Sequence, residues 1–211
     1  MRRILTLGAS LGVLLGAPAP AQPPAARADT LWLVAAAAAG DAVHRRDTEA
    51  ELVRRYGRAN VRRDSLPGAE GESVYGTVLF PRDPRRTLYV YWADGPPFRR
   101  VDAVRPAPGA TAWMVWPGVA VGSTLADVER LNGRAFRLNG FEWDYGGLVS
   151  DWRGGRLGAA WRGRRDGLFV GLGFRPRGRT TGVSGEGEFS SALPAVRRAD
   201  PRVGDLFVTV R

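Results

Sequence analysis

The reading of this chain turns on Gly122-Ser123-Thr124-Leu125-Ala126-Asp127-Val128-Glu129-Arg130-Leu131-Asn132-Gly133-Arg134-Ala135-Phe136, with Phe141-Glu142-Trp143-Asp144-Tyr145-Gly146-Gly147 close behind it. Ser123 and Thr124 carry side-chain oxygens that can accept the orphan amides of a first helical turn, and Asp127 stands against the positive end of the helix dipole. Val128 and Leu131 make a narrow apolar stripe, and Gly133 falls where a left-handed residue closes the last carbonyls. The spacing predicts a helix near 124–132 that delivers the chain into a strand.

The first half carries a worn copy. Laid ungapped on Thr124 to Ala135, residues Thr48 to Ala59 repeat Thr, Ala, Arg, Gly, Arg and Ala at matching places, with Glu51 over Asp127 and Leu52 over Val128. A helix near 48–56, ending at Gly57, is expected there. Behind the helices, Glu72, Tyr75 and Gly76 align with Glu142, Tyr145 and Gly146, and Leu88 and Trp92 with Leu157 and Trp161. Pro81-Arg82-Asp83-Pro84 and Arg153-Gly154-Gly155 read as hairpin turns. Phe98 to Val104 and Leu168 to Phe174 read as the last strand of each copy. The expected fold is therefore α+β: two tandem repeats, each one short helix followed by about four antiparallel strands, with the sheets packed or joined together.

Around this core the boundaries follow. Arg2 and Arg3, the apolar run Ile4 to Leu15 and Ala19-Pro20-Ala21 describe a signal peptide over 1–21, too short in its apolar part to span a bilayer. Residues 22–29 are a Pro- and Ala-rich flexible leader, 30–107 the first repeat, 108–176 the second, and 177–211 a loop and a C-terminal strand completing the sheet edge. Thr30-Leu31-Trp32-Leu33-Val34 and Thr111-Ala112-Trp113-Met114-Val115 read as related strands, whereas Ala35 to Ala39 suits helix as well as strand. Pro194 interrupts a short helix between Ser190 and Asp200. The expected product is an exported chain, periplasmic or extracellular, with no transmembrane segment.

The formal net charge is +10, with 31 basic against 21 acidic residues. Every basic side chain is Arg, a bias that suits coding composition and carboxylate pairing as well as phosphate contact, so nucleic acid is not an expected partner. An anionic envelope polymer is a further candidate. The absence of Cys excludes disulfides and cysteine nucleophiles, and the single His44 leaves multi-histidine zinc sites and most triads without material. No cofactor, metal or catalytic residue is expected.

The helix motifs and the run Gly140 to Gly147 resemble a group of uncharacterised exported bacterial proteins. The doubled helix-plus-meander arrangement is similar to the modules of the beta-lactamase inhibitory protein and the BamE/SmpA envelope proteins. The resemblance implies a tandem α+β scaffold and a protein-binding role. BamE's lipidation cysteine and the inhibitor's disulfides are missing, so their partners are not carried over.

Phe141, Trp143 and Tyr145 alternate with Glu142 and Asp144 on an expected strand. Trp143, Tyr145 and Trp152, with Asp144, form the candidate partner-binding patch, facing another envelope or secreted protein. The same composition suits a sugar platform, so the alternative is a glycan-binding or glycan-processing protein using Trp143, Asp144 and Asp151, with Glu142 as a further carboxylate. In the bland reading Glu142 and Asp144 are solvated and pair with Arg153 or Arg156.

Overall fold

Thr48 and Thr124 each open a helix in the way their neighbours dictate. The Thr48 hydroxyl accepts from the amide of Glu51, and the Glu51 carboxylate accepts from the Thr48 amide; Thr124 and Asp127 do the same. Both are reciprocal capping boxes, which satisfy two orphan donors at once. These helices were traced in a computed structural model, which describes residues 31–32, 43–115, 117–162 and 168–210. The segments expected to be a signal peptide (1–21) and a leader (22–29), and Ala35 to Ala39, lie outside the described residues.

In chain order the elements are β1 (Leu31–Trp32), α1 (Glu49–Tyr56), β2 (Val61–Pro67), β3 (Ser73–Leu79), β4 (Leu88–Trp92), β5 (Val101–Pro106), β6 (Trp113–Val115), β7 (Val119–Ala120) and α2 (Leu125–Asn132). There follow β8 (Arg137–Asn139), β9 (Val149–Asp151), α3 (Arg156–Arg162), β10 (Leu168–Arg175), β11 (Glu188–Ser190), α4 (Pro194–Arg198) and β12 (Arg202–Val210). The class is α+β. A six-stranded sheet runs β10-β12-β5-β4-β3-β2, flanked by β11-β8-β9 and β1-β6-β7, and every pairing except the parallel β1–β6 is antiparallel. Leu31 and Trp32 thus pair with Trp113 and Met114, their own sequence echo.

One face of the large sheet is core. Leu79, Leu88, Val90, Val104, Val208, Leu206 and Leu172 share it by register and are all buried. Each such side chain contributes roughly 1.5–3 kcal/mol by leaving water. Helix α1 covers part of this face with Leu52, and its first residue enters a buried polar chain. Arg63 donates to both oxygens of Glu49, the Thr77 hydroxyl donates to Glu49 at 3.0 Å, and Trp92 Nε1 donates to Thr77 at 3.0 Å. A carboxylate at the N-terminal end of a helix, fully partnered, is tolerated there because each oxygen keeps its hydrogen bonds.

The correspondence between the halves is seen at the helices and not in the segments behind them. Gly57 and Gly133 both follow a helix with positive φ, 81° and 79°, but only Gly133 is in the left-handed helical region. Trp92 lies on strand β4, whereas Trp161 lies on helix α3; Tyr75 lies on β3, whereas Tyr145 lies in a turn. Arg153-Gly154-Gly155 leads into α3, so it is no hairpin. A four-residue spacing puts two side chains on one side of a strand and also one turn apart on a helix, so Leu88…Trp92 and Leu157…Trp161 fit either. The residues between decide: Tyr89-Val90-Tyr91 favours strand, Gly158-Ala159-Ala160 favours helix over strand. Pro194 opens α4 at its first turn, where its missing amide costs nothing. β12, expected at a sheet edge, is instead the strand between β10 and β5 that joins the two halves.

Candidate functional site

The other face of the six-stranded sheet is open, and its side chains follow from the two-residue period. Tyr89 and Tyr91 alternate with buried Leu88, Val90 and Trp92, while Phe207 and Thr209 alternate with Leu206 and Val208. Tyr91, Ala103 and Thr209 lie in one row across β4, β5 and β12. Over this floor lies a cleft of about 610 Å³, within the ~300–1,000 Å³ range of small-ligand sites.

Two loops wall the cleft. On one side stands the β2–β3 turn with Pro67, Gly68, Ala69 and exposed Val74, pinned by the Tyr91 hydroxyl, which donates to Pro67 O at 2.7 Å. On the other stand Asp144, Tyr145, Gly146 and Leu148. This second wall is a turn, not the expected strand: Glu142 has φ +66°, and Gly146 N donates to Trp143 O at 2.9 Å. Gly147 anchors it on β10. A Cβ there would lie 2.0 Å from the Phe174 carbonyl oxygen, and Phe174 N donates to Gly147 O at 2.8 Å. Such an approach, at φ +75°, admits only glycine.

At the far end of the floor Arg105 and Arg175 each bind one oxygen of Asp205. The Asp205 side chain is 11 % exposed, so its charge is held away from water between two guanidiniums, and the trio carries one net positive charge. Arg175 is 58 % exposed. Burial holds the Tyr91 phenol above its usual pKa, an effect the neighbouring Arg105 opposes, so Tyr91 is a neutral hydrogen-bonding floor group. Exposed Asp102 and Asp144 line the rim.

Of the four residues expected to meet a partner, the structure brings Asp144 and Tyr145 to the cleft. Tyr145 is 52 % exposed, and its ring meets that of Trp143 edge-on at 5.5 Å. Trp143 is half-buried, with Nε1 donating to Gly140 O at 2.9 Å, and supports Tyr145 from behind. Trp152 is a correction. It is 4 % exposed, packed on Phe136 at 5.3 Å and Trp161 at 5.2 Å, because the chain turns inward after β9 and its indole fills the space beneath α3. The carboxylates are dispersed. Glu142 accepts from the Thr180 hydroxyl, Asp151 accepts from Arg153 N at 2.7 Å on β9, and neither lines the cleft with Asp144. Arg156, expected to pair with Glu142 or Asp144, instead donates to Leu131 O and Arg130 O at the end of α2.

Among the described residues, no group of three or more His, Cys, Asp or Glu gathers to hold a metal, and no helix is long and apolar enough to cross a membrane. His44 sits exposed in the turn before α1, its amide donating to Asp47 at 2.7 Å. Sequence reasoning missed Tyr91, Arg105, Arg175, Asp205 and Phe207. The alternation in Leu88 to Trp92 and in Leu206 to Thr209 signals two-faced strands, but it does not say that β5, β10 and β12 lie side by side. The chain matches no protein-family model, no curated protein and no solved structure.

Proposed function

We propose that the chain is a non-enzymatic protein-interaction module, exported to the periplasm or beyond, that takes a segment of another exported protein in the cleft on the open sheet face. The carrying observation is the combination there of exposed Tyr145 and Val74 at the rim, Tyr91 and Phe207 on the floor, and the Arg105–Asp205–Arg175 trio at one end. Aromatic and arginine side chains around a recess are the usual anchors of protein interfaces. The floor belongs to a rigid sheet and both walls are tied to it by hydrogen bonds, so little ordering is needed on binding.

A photo-crosslinking residue at position 145, in the exported fraction, should give one adduct of defined mass, against none from the same residue at exposed position 82. With that partner purified, Tyr145→Ala should weaken binding by about thirtyfold, the ~2 kcal/mol of a hot-spot truncation, with the thermal transition unmoved. Equal adducts from both positions, or unchanged affinity in Tyr145→Ala, would remove the cleft assignment. The glycan reading is supported by Tyr145 and Asp144 sharing the rim; turnover or binding in a glycan screen that disappears in Asp144→Asn would favour it instead.

A further inference from the structure

At its C-terminal end α2 turns through Gly133, Arg134 and Ala135 into β8, and two adjoining depressions of about 470 and about 410 Å³ share Arg134 and Ala135 as a common wall. Arg130, Arg134 and Arg197 line the first, and Arg134, Arg137 and Arg153 the second. The one carboxylate in either lining, Glu129, is committed: it accepts from the Ser191 hydroxyl at 2.6 Å and pairs with Arg197 at 3.0 Å. Arg130, Arg137 and Arg153 reach flanking carboxylates at 3.1, 3.7 and 4.0 Å, all with exposed partners. Solvent-exposed pairs of this kind are weak enough to exchange for an external anion. Arg134 contacts no carboxylate among the described residues; it donates to Arg153 O at 2.7 Å and leaves its charge unbalanced.

We propose that this paired depression binds a linear phosphate polymer. Guanidinium forks match phosphate oxygens in pairs, and a ligand that satisfies both depressions must run past Arg134 from one to the other, as a chain does. Of the five guanidiniums, Arg197 is held by Glu129, Arg130, Arg137 and Arg153 sit in exposed pairs with Asp127, Glu188 and Asp151, and Arg134 has no carboxylate among the described residues. A polymer with a charge on every short repeat can therefore engage Arg134 and exchange with the three exposed pairs at once. The aromatic side chain in the lining, Phe136, is 1 % exposed, so the surface offers no ring for a nucleobase to stack on. The recess also suits a chain better than a flat bilayer. The site is independent of the cleft on the open sheet face.

The test uses the full chain and fluorescently labelled inorganic polyphosphate, read by anisotropy. Binding should weaken on the order of tenfold as salt rises from about 50 to about 150 mM, as expected when several counterions are released. Arg134→Gln with Arg137→Gln should weaken binding tenfold or more, and Arg82→Gln with Arg99→Gln, two exposed arginines elsewhere, should change it less than twofold. Arg130→Gln with Arg137→Gln keeps the Arg134–Arg153 link and serves if the first pair fails to fold. Absence of polyphosphate binding, equal losses in the control pair, or tighter binding to poly(U) or to vesicles with acidic lipid would each overturn the proposal.

Discussion

Replacing Asn132 by alanine removes the side chain that joins the second helix to everything behind it. Asn132 is 1 % exposed. Its Nδ2 donates to Arg134 O at 3.0 Å and Trp152 O at 3.1 Å, and its Oδ1 accepts from Leu157 N at 3.2 Å, an amide of the first turn of α3. Three hydrogen bonds at a net of about 1 kcal/mol each give about 3 kcal/mol. The Trp152 carbonyl keeps the Gly155 amide at 2.9 Å, but the Leu157 amide is left unpaired inside the protein, so the loss should reach about 3–4 kcal/mol. At roughly 2–4 °C per kcal/mol for a chain of this size, the melting temperature should fall by roughly 6–15 °C. Urea unfolding followed by tryptophan fluorescence measures it, with Trp152 and Trp161 as nearby reporters. Asn132→Asp keeps an acceptor for Leu157 but sets a carboxylate against two carbonyls, and should cost at least as much. A loss below about 1 kcal/mol in Asn132→Ala would show that Arg156, which caps the end of α2 from α3, holds the junction unaided.

Trp152→Ala should destabilise by about 3–5 kcal/mol, the usual cost of emptying a tryptophan site, while Tyr145→Ala stays within about 0.5 kcal/mol; denaturant midpoints that rank the other way would return Trp152 to the surface. Gly147→Ala should cost more than Gly133→Ala, since the added carbon meets the Phe174 backbone at the first site but only the flexible Arg156 side chain at the second, where about 1 kcal/mol is expected. Equal thermal shifts in the two would refute the difference. Hydrogen bonds from Thr48 hold the Glu51 carboxyl below its usual 4.5, and those from Thr124, then Arg130, hold Asp127 below its usual 3.8. A depressed folded pKa contributes stability that is present above the ordinary value and is lost as pH falls through the folded one. Glu51→Gln and Asp127→Asn should therefore be less stable than the parent at neutral pH and converge with it in acid; a gap that persists through the acid range would show that the carboxylate charge is not what the capping boxes use.

Both helices were legible because their determinants are local. Thr48 with Glu51, and Thr124 with Asp127, build their caps within four residues, and the structure starts and stops α1 and α2 within a residue of the expected bounds. The α+β class followed from such local signals, and so did the strand expected over Leu168 to Phe174, seen as Leu168–Arg175; the one expected over Phe98 to Val104 starts three residues later, as Val101–Pro106, because Phe98 turns with φ +53°. What lies across from a side chain is not local. The run Phe141 to Tyr145 alternates like a strand, yet Gly147 must close on the Phe174 backbone, and that contact folds the run into a turn that exposes Tyr145 and half-buries Trp143. Trp152 and Tyr145 are both aromatic residues beside polar neighbours, and only the arrival of α3 over one of them makes it core. The cleft needed more still. Tyr91, Arg105, Arg175 and Phe207 come from four strands that become neighbours because β12, the end of the chain, enters between β10 and β5. Side-chain period tells which residues of a strand share a face, but strand order, set by burial summed over the whole sheet, decides which faces meet.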